Sequence, residues 1–312
     1  MAFSCLCSTK FLAFLFLIST IPIGIIISLQ RAQPTTHVYY YHGAGWFRES
    51  CKWDDHNRRF LLSFLEGGVG QISVPEHHMP ETILQEVPLV KDADLARNSS
   101  LGIVIDRPRN RLLVVYADII GHRYAALAAY DLSTWKCLFL SQLSGPKGNA
   151  YVTDAKASKI WKVGVDGKFL HFIRSPLFTL NKWYKTLVAL NGIGYHPDGF
   201  LIVIHSFSGN LFKIDVAKEE VKLIKVAGGP LSFGDGLELL SLTKLVVAGN
   251  YPTGRLVESS DGWGTASLGK KLSGPTHRLS TAATVKDGKV YLNHLVGMGY
   301  PKKKHVIVVA DF

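Results

Sequence analysis

A chain of 312 residues with 47% hydrophobic and 19% charged positions has the composition of a protein that buries a core, which excludes the charge-rich, apolar-poor profile of disordered chains. The formal charge of +11 is spread along the sequence. Its one cationic run, Lys302-Lys-Lys304, is short enough to be a solvated turn, and nucleic acid is excluded as a partner.

Residues 11–29 carry no charge and lie between Lys10 and Arg31. That stretch exceeds the roughly 7–15 residues of a signal-peptide core and reaches the ~18 needed to span a bilayer. Residues 1–32 are expected to form a signal anchor. Pro22, Gly24 and the small residues Ser28 and Ala32 keep a removable signal peptide as the alternative. Either reading sends the remainder into the secretory pathway, membrane-anchored with a luminal or extracellular domain at the endoplasmic reticulum, vacuole or cell surface. Cys5 and Cys7 precede the segment, whereas Cys51 and Cys137 follow it into a compartment that permits disulfides. Spacing alone does not pair them. Asn98-Ser-Ser100 is an N-glycosylation sequon, expected on a surface loop, with an unused sequon as the alternative.

Residues 33–48 read as a polar stem. Beyond them the chain reads as short strands between Gly, Pro, Asn and Asp turns, without long helical periodicity. A first unit runs from Glu49 to Val74 and a second from Ser100 to Leu143. The third contains only Gly148–Asp154 and Lys159–Val163, because Ser144–Lys147 is too short to supply an inner strand as well as a crossing between units. Units four, five and six place strands at Gly192–Tyr195, Leu201–His205 and Asn210–Ile214, at Gly236–Leu240, Lys244–Ala248 and Arg255–Val257, and at Thr281–Val285, Lys289–Leu295 and His305–Ala310.

Asn191-Gly-Ile-Gly-Tyr-His-Pro-Asp-Gly-Phe-Leu201 and Asp235-Gly-Leu-Glu-Leu-Leu-Ser-Leu-Thr-Lys-Leu245 align residue for residue. Such a spacing, about 44 positions, with strand-like content is that of a propeller blade. The fold class expected is all-β, a six-bladed β-propeller over residues 49–312 whose third blade lacks its inner strand. Counting back from the apolar run of each second strand lands on Glu49, Ser100, Asn191, Asp235 and Ser280. Equivalent inner-strand positions surround a central channel, so these oxygens would form a ring suited to Ca²⁺, which takes about 6–8 such ligands. Glu49, Asn191 and Asp235 are assigned as metal ligands. Taken singly, Asn-Gly and Asp-Gly are more commonly turns, and Ser100 and Ser280 are weak ligands. His77, His78 and His205 are expected to be surface, core or rim residues rather than ligands, and zinc-type spacings, nucleophile elbows and phosphate loops do not occur.

Glu49-Ser-Cys-Lys-Trp53, Asn191-Gly-Ile with Asp198-Gly199, and Gly234-Asp235-Gly236 resemble motifs of the senescence marker protein/gluconolactonase (regucalcin-like) superfamily, in particular its plant members described as calcium-dependent phosphotriesterase-like. The likeness covers about residues 45–312. It implies hydrolysis of a small-molecule lactone, ester or phosphotriester with Ca²⁺ as Lewis acid, Zn²⁺ or Mn²⁺ being alternative ions, and with Asp235 as catalytic general base. A non-catalytic propeller with a structural Ca²⁺ ion is the alternative. Two departures stand out: Arg48 replaces the usual glycine, and the family's substrate-facing stretch on the third blade is missing before Gly148.

Overall fold

The computed structural model describes residues 20, 22, 24–29, 37–90, 98–120, 124–142, 150–180 and 188–312. The chain divides into two compact units, Met1–Thr35 and Thr36–Phe312. In the first, residues 24–29 are helical, and no helix among the described residues is long and apolar enough to cross a membrane. Most of the expected anchor, together with Cys5 and Cys7, lies outside the described residues.

The second unit is built of strands. The first sheet joins β2 (Arg48–Asp54), β3 (Arg59–Phe64), β4 (Val69–Ser73) and β5 (Leu84–Val90), preceded in the chain by β1 (Val38–Gly43). A second comprises β6 (Ser99–Asp106), β7 (Arg111–Ala117), β8 (Ala125–Asp131) and β9 (Cys137–Gln142), and a third β10 (Ala150–Asp154), β11 (Lys159–Val163) and β12 (Phe169–Arg174). Next come β13 (Leu190–His196), β14 (Phe200–His205), β15 (Asn210–Asp215) and β16 (Val221–Ala227). They are followed by β17 (Gly234–Ser241), β18 (Lys244–Gly249), β19 (Gly254–Glu258) and β20 (Thr265–Leu272), then β21 (Ser280–Lys286), β22 (Lys289–His294) and β23 (Lys303–Ala310). Within each group, consecutive strands pair antiparallel.

The second strands are the apolar heart of each group. Every residue of β3 and β14 is buried, and a strand covered on both faces reads as a continuous apolar run. Outer strands such as β16 and β20 are largely exposed. Between neighbouring sheets lie the core clusters: Leu61, Val69, Leu112, Tyr116 and Tyr130 join the first two, and Val246, Ala248, Ala283 and Leu292 join the last two.

The expected stem at 33–48 is corrected by β1. Val38 pairs with Val308 and Gly43 with Lys303 along β23, and Tyr41 meets Leu84 of β5 in parallel. A segment of Val and Tyr with Val38, Tyr39 and Tyr41 buried has the β-branched and aromatic content of a strand. It adds a fourth strand to β21–β23, so the last sheet is completed by the start of the unit.

In the third sheet β10 takes the place of a second strand. Ser206, just after β14, accepts a hydrogen bond from Phe233 N and gives its hydroxyl to Gly234 O at 2.6 Å. Ala155, just after β10, accepts from Ala189 N, and Thr153 gives its hydroxyl to Asn191 O at 2.6 Å. The main-chain bonds correspond, and Thr153 reaches the Asn191 carbonyl as Ser63 of the second strand β3 reaches that of Leu101 at 2.6 Å. Among the described residues β10 is the first strand of this sheet, and the residues directly before it, 143–149, lie outside the described ones.

Candidate functional site

The innermost strands are β2, β6, β13, β17 and β21. Neighbouring members pack β2 beside β6 and β21, and β17 beside β13 and β21. Each opens with a register shift: between Arg48 and Cys51, Ser100 and Ile103, Leu190 and Ile193, Gly234 and Leu237, and Ser280 and Ala282. A β-bulge of this kind re-aims a side chain. The residues inside the five bulges correspond, and they include Glu49, Leu101, Asn191, Asp235 and Thr281.

This corrects the ring drawn from sequence at two places. Ser100 and Ser280 stand one position early and are fully buried, Ser100 accepting a hydrogen bond from Gly68 N at 2.8 Å. Counting back by a fixed number of residues cannot see the hairpin lengths that put Leu101 and Thr281 in their place. The same geometry shows that Asn191-Gly192 and Asp235-Gly236 belong to strands rather than turns. Their glycines allow close approach: a Cβ on Gly192 would overlap the Asp235 carbonyl, and one on Gly236 would sit 2.6 Å from the Thr281 carbonyl. At Gly102, the equivalent position in β6, a Cβ would meet no described atom within 4 Å. Val104, two residues on, is 55% exposed.

Glu49, Asn191 and Asp235 converge electrostatically. The Asn191 side chain hydrogen-bonds Asp235, which opposes a rise in the Asp235 pKa caused first by burial and second by the charge of Glu49. Burial pushes Glu49 up to about 7. Glu49 and Asp235 are both half-buried. Two carboxylates this close disfavour each other's ionised form unless a cation joins them.

The nearby cation is already taken. Lys52, three residues after Glu49, is ion-paired with Glu238, three residues after Asp235, and donates to Ala283 O at 3.3 Å. Sequence inspection missed this pair, although the repeated offset of three from the ring was its signal. Among the described residues no three His, Cys, Asp or Glu side chains form a group that could hold a metal ion. The site is two carboxylates and an amide. If the Asn191 amide donates to Asp235, its carbonyl oxygen is left to complete an all-oxygen donor set, which is the chemistry a hard divalent cation takes.

Other residues singled out from sequence lie elsewhere. His205 is fully buried at the end of β14, its Nδ1 accepting from Ser208 N at 3.3 Å. His78 packs against Tyr39 with ring centroids 4.9 Å apart, and His77 is exposed. Cys51 is buried and Cys137 exposed, and the two are not joined to each other. Asn98 lies at a bend before β6, lining a surface hollow with Phe47, Glu66, Asp118, Ile119 and Ile120.

No protein-family model matches the chain, and no curated protein matches it in sequence. Its similarity is to solved structures. The Malassezia sympodialis allergen Mala s 1 is 17% identical, with 90% of this chain and 97% of that one covered at a TM-score of 0.66. The WD40 repeats of RRP9 are 9% identical, with 90% and 99% covered at a TM-score of 0.56. Virginiamycin B lyase from Staphylococcus aureus is 10% identical, with 86% and 87% covered at a TM-score of 0.54. At such identities the likeness is one of fold, and with the radial order of the inner strands it makes this chain an all-β protein of the β-propeller kind.

Proposed function

We propose that the chain is a six-bladed β-propeller of the secretory pathway whose Glu49, Asn191 and Asp235 hold Ca²⁺ for hydrolysis of a lactone, ester or phosphotriester. The grouping of β2–β5, β6–β9, β10–β12, β13–β16, β17–β20 and β21–β23 with β1 supports the blade count. The observation that carries the site is the convergence of two desolvated carboxyls and an amide with the local lysine already paired.

When bound, a divalent ion supplies Lewis-acid polarisation of a carbonyl or phosphoryl oxygen. The chain's own part is to hold and move a proton. Burial and the charge of Glu49 raise the proton affinity of Asp235, which suits a general base working near neutral pH. Asn191 orients that carboxyl through its hydrogen bond. Mn²⁺ or Zn²⁺ is the alternative ion. The purified full-length chain is to be assayed on lactones and aryl esters with Ca²⁺ and with chelator; turnover indifferent to both chelation and Asp235→Asn rejects the proposal.

A non-catalytic propeller stabilised by Ca²⁺ is the second reading. The three-stranded third sheet, in which no inner strand stands among the described residues, favours it. Under this reading Ca²⁺ raises the melting temperature by linkage without any turnover. Residues 1–32 as anchor and a glycan on Asn98 belong to the same secretory proposal. A mass shift removed by glycosidase and absent in Asn98→Gln tests both.

A further inference from the structure

A surface hollow of about 380 Å³ lies where the ends of β2 and β3 meet those of β6 and β7. Among its lining side chains Phe47 is 40%, Ile119 45% and Ile120 89% exposed, so apolar surface is left in water there. Glu66 and Asp118 stand beside them. Glu66 Oε1 accepts from Phe47 N at 3.0 Å, and Asp118 Oδ1 from Ile120 N at 3.2 Å. A carboxylate offers about four acceptor positions, so both can take further donors. The volume is at the lower end of the roughly 300–1,000 Å³ of small-ligand sites.

Asn98 lines the same hollow, and it is the acceptor residue of the sequon Asn98-Ser-Ser100. A sugar joined to its amide nitrogen starts at the hollow and is held there by a covalent tether, which replaces binding from solution by a high effective concentration. Ser100, the third residue of the sequon, is fully buried and accepts from Gly68 N at 2.8 Å. The sequon can therefore be read only before β6 packs, and the first sugar is in place while the hollow forms.

We propose that the first N-acetylglucosamine of an Asn98 glycan packs into this hollow and completes the surface of the fold there. The inference rests on the secretory reading given above. A pyranose ring with equatorial substituents presents a face of axial C–H bonds, which suits the Phe47 ring, whose face is negative, and the Ile119 and Ile120 side chains. Its hydroxyls and acetamido N–H lie at the ring edge, where Glu66 and Asp118 supply acceptors. Apolar surface removed from water in this way stabilises the folded chain. Any other occupant would have to displace a group that cannot leave.

The test uses the full-length chain from a secretory host whose glycans stay of the oligomannose type, so that endoglycosidase H trims the glycan to one N-acetylglucosamine on Asn98. Intact and trimmed forms are expected to melt together, about 2–4 °C above Asn98→Gln. Phe47→Ala and Ile120→Ser are each expected to cut that gap by half or more, the coupling that a double-mutant cycle reads. A trimmed form that melts with Asn98→Gln overturns the proposal. A gap that both substitutions leave unchanged also overturns it, because the sugar then acts from outside the hollow. If mass spectrometry finds Asn98 unmodified, the glycan reading itself fails and this proposal falls with it.

Discussion

Gly192 of β13 lies so close to Asp235 of β17 that a single methyl group on its Cα would overlap the Asp235 carbonyl. The neighbour relation that brings the two candidate ligands together is thus enforced by the absence of a side chain on the residue between them. Gly192→Ala is expected to cost about 2–3 kcal/mol of stability through overpacking against backbone. Gly102→Ala in β6 is expected to change stability by no more than about 0.5 kcal/mol, since open space lies beside it. Urea unfolding of the pair measures this difference, and equal losses would show that an inner strand does stand beside β6.

In chelator, the carboxyl pair makes stability fall as pH rises. The folded-state pKa of Glu49 is raised, from 4.5 to about 7, so its contribution is complete below the lower value and is lost as pH climbs through the higher one. Asp235 moves in the same direction. The melting temperature without divalent ion is expected to drop by several degrees between pH 5 and 8, since each tenfold gain in proton affinity on folding is worth about 1.4 kcal/mol. Glu49→Gln is expected to flatten that slope and to abolish the Ca²⁺-induced rise in melting temperature, both readable by scanning fluorimetry.

Acid stability has a different origin. His294 and His305 are fully buried, and burial together with the nearby arginines depresses each to about 3. A lowered histidine pKa means that the unfolded chain binds the proton first, so stability falls as pH drops below about 6.5. By pH 5 each is expected to cost about 2 kcal/mol. His305→Gln keeps a donor for the 3.0 Å contact with Gly45 O and is expected to lose stability at pH 7 while flattening the acid limb; an unchanged limb would assign it to other groups.

Arg48 opens β2 next to the candidate ligand Glu49. It is buried, paired with both oxygens of Glu86, and lies 4.0 Å from the Phe64 ring centroid. Glu86→Ala strands that guanidinium and is expected to cost about 3–5 kcal/mol. Glu66 reaches the same arginine at 3.1 Å, but its side chain is 40% exposed, so losing that ion pair is expected to cost at most about 1 kcal/mol. For Glu66→Gln, whose amide oxygen retains an acceptor for Trp46 N and Phe47 N, the loss stays near that figure. Thermal unfolding ranks the two.

Much of the fold was legible because second strands such as β14 and β18 carry long apolar runs, Phe200–Ile204 and Leu245–Ala248, and their spacing exposes the repeat. What escaped had physical reasons. Strands β16 and β20 face solvent over most of their length and carry no apolar signature. β1 was hidden because Val38–Gly43 forms a strand only by reaching β23 at the far end of the chain. Glu49, Asn191 and Asp235 could be found by counting, whereas Ser280 was misplaced by one residue because the β21–β22 turn is shorter than those of β13–β14 and β17–β18, and Ser100 because Leu112 stands level with Phe60 rather than Leu61. Lys52 and Glu238 became a pair only once the channel placed them opposite one another.

The pairing of Val38 with Val308 also sets the timetable of folding. Each middle sheet can assemble from strands that are neighbours in the chain, but β1 must wait with an open edge until β23 has been synthesised. Long-range closure of this kind is slow and leaves a strand edge free in the interval. A ribosome that stops before Lys303 releases a molecule whose ring is open along the whole of β1, so the last eight-residue strand decides whether the preceding sheets are held as a closed ring or exposed to one another's copies.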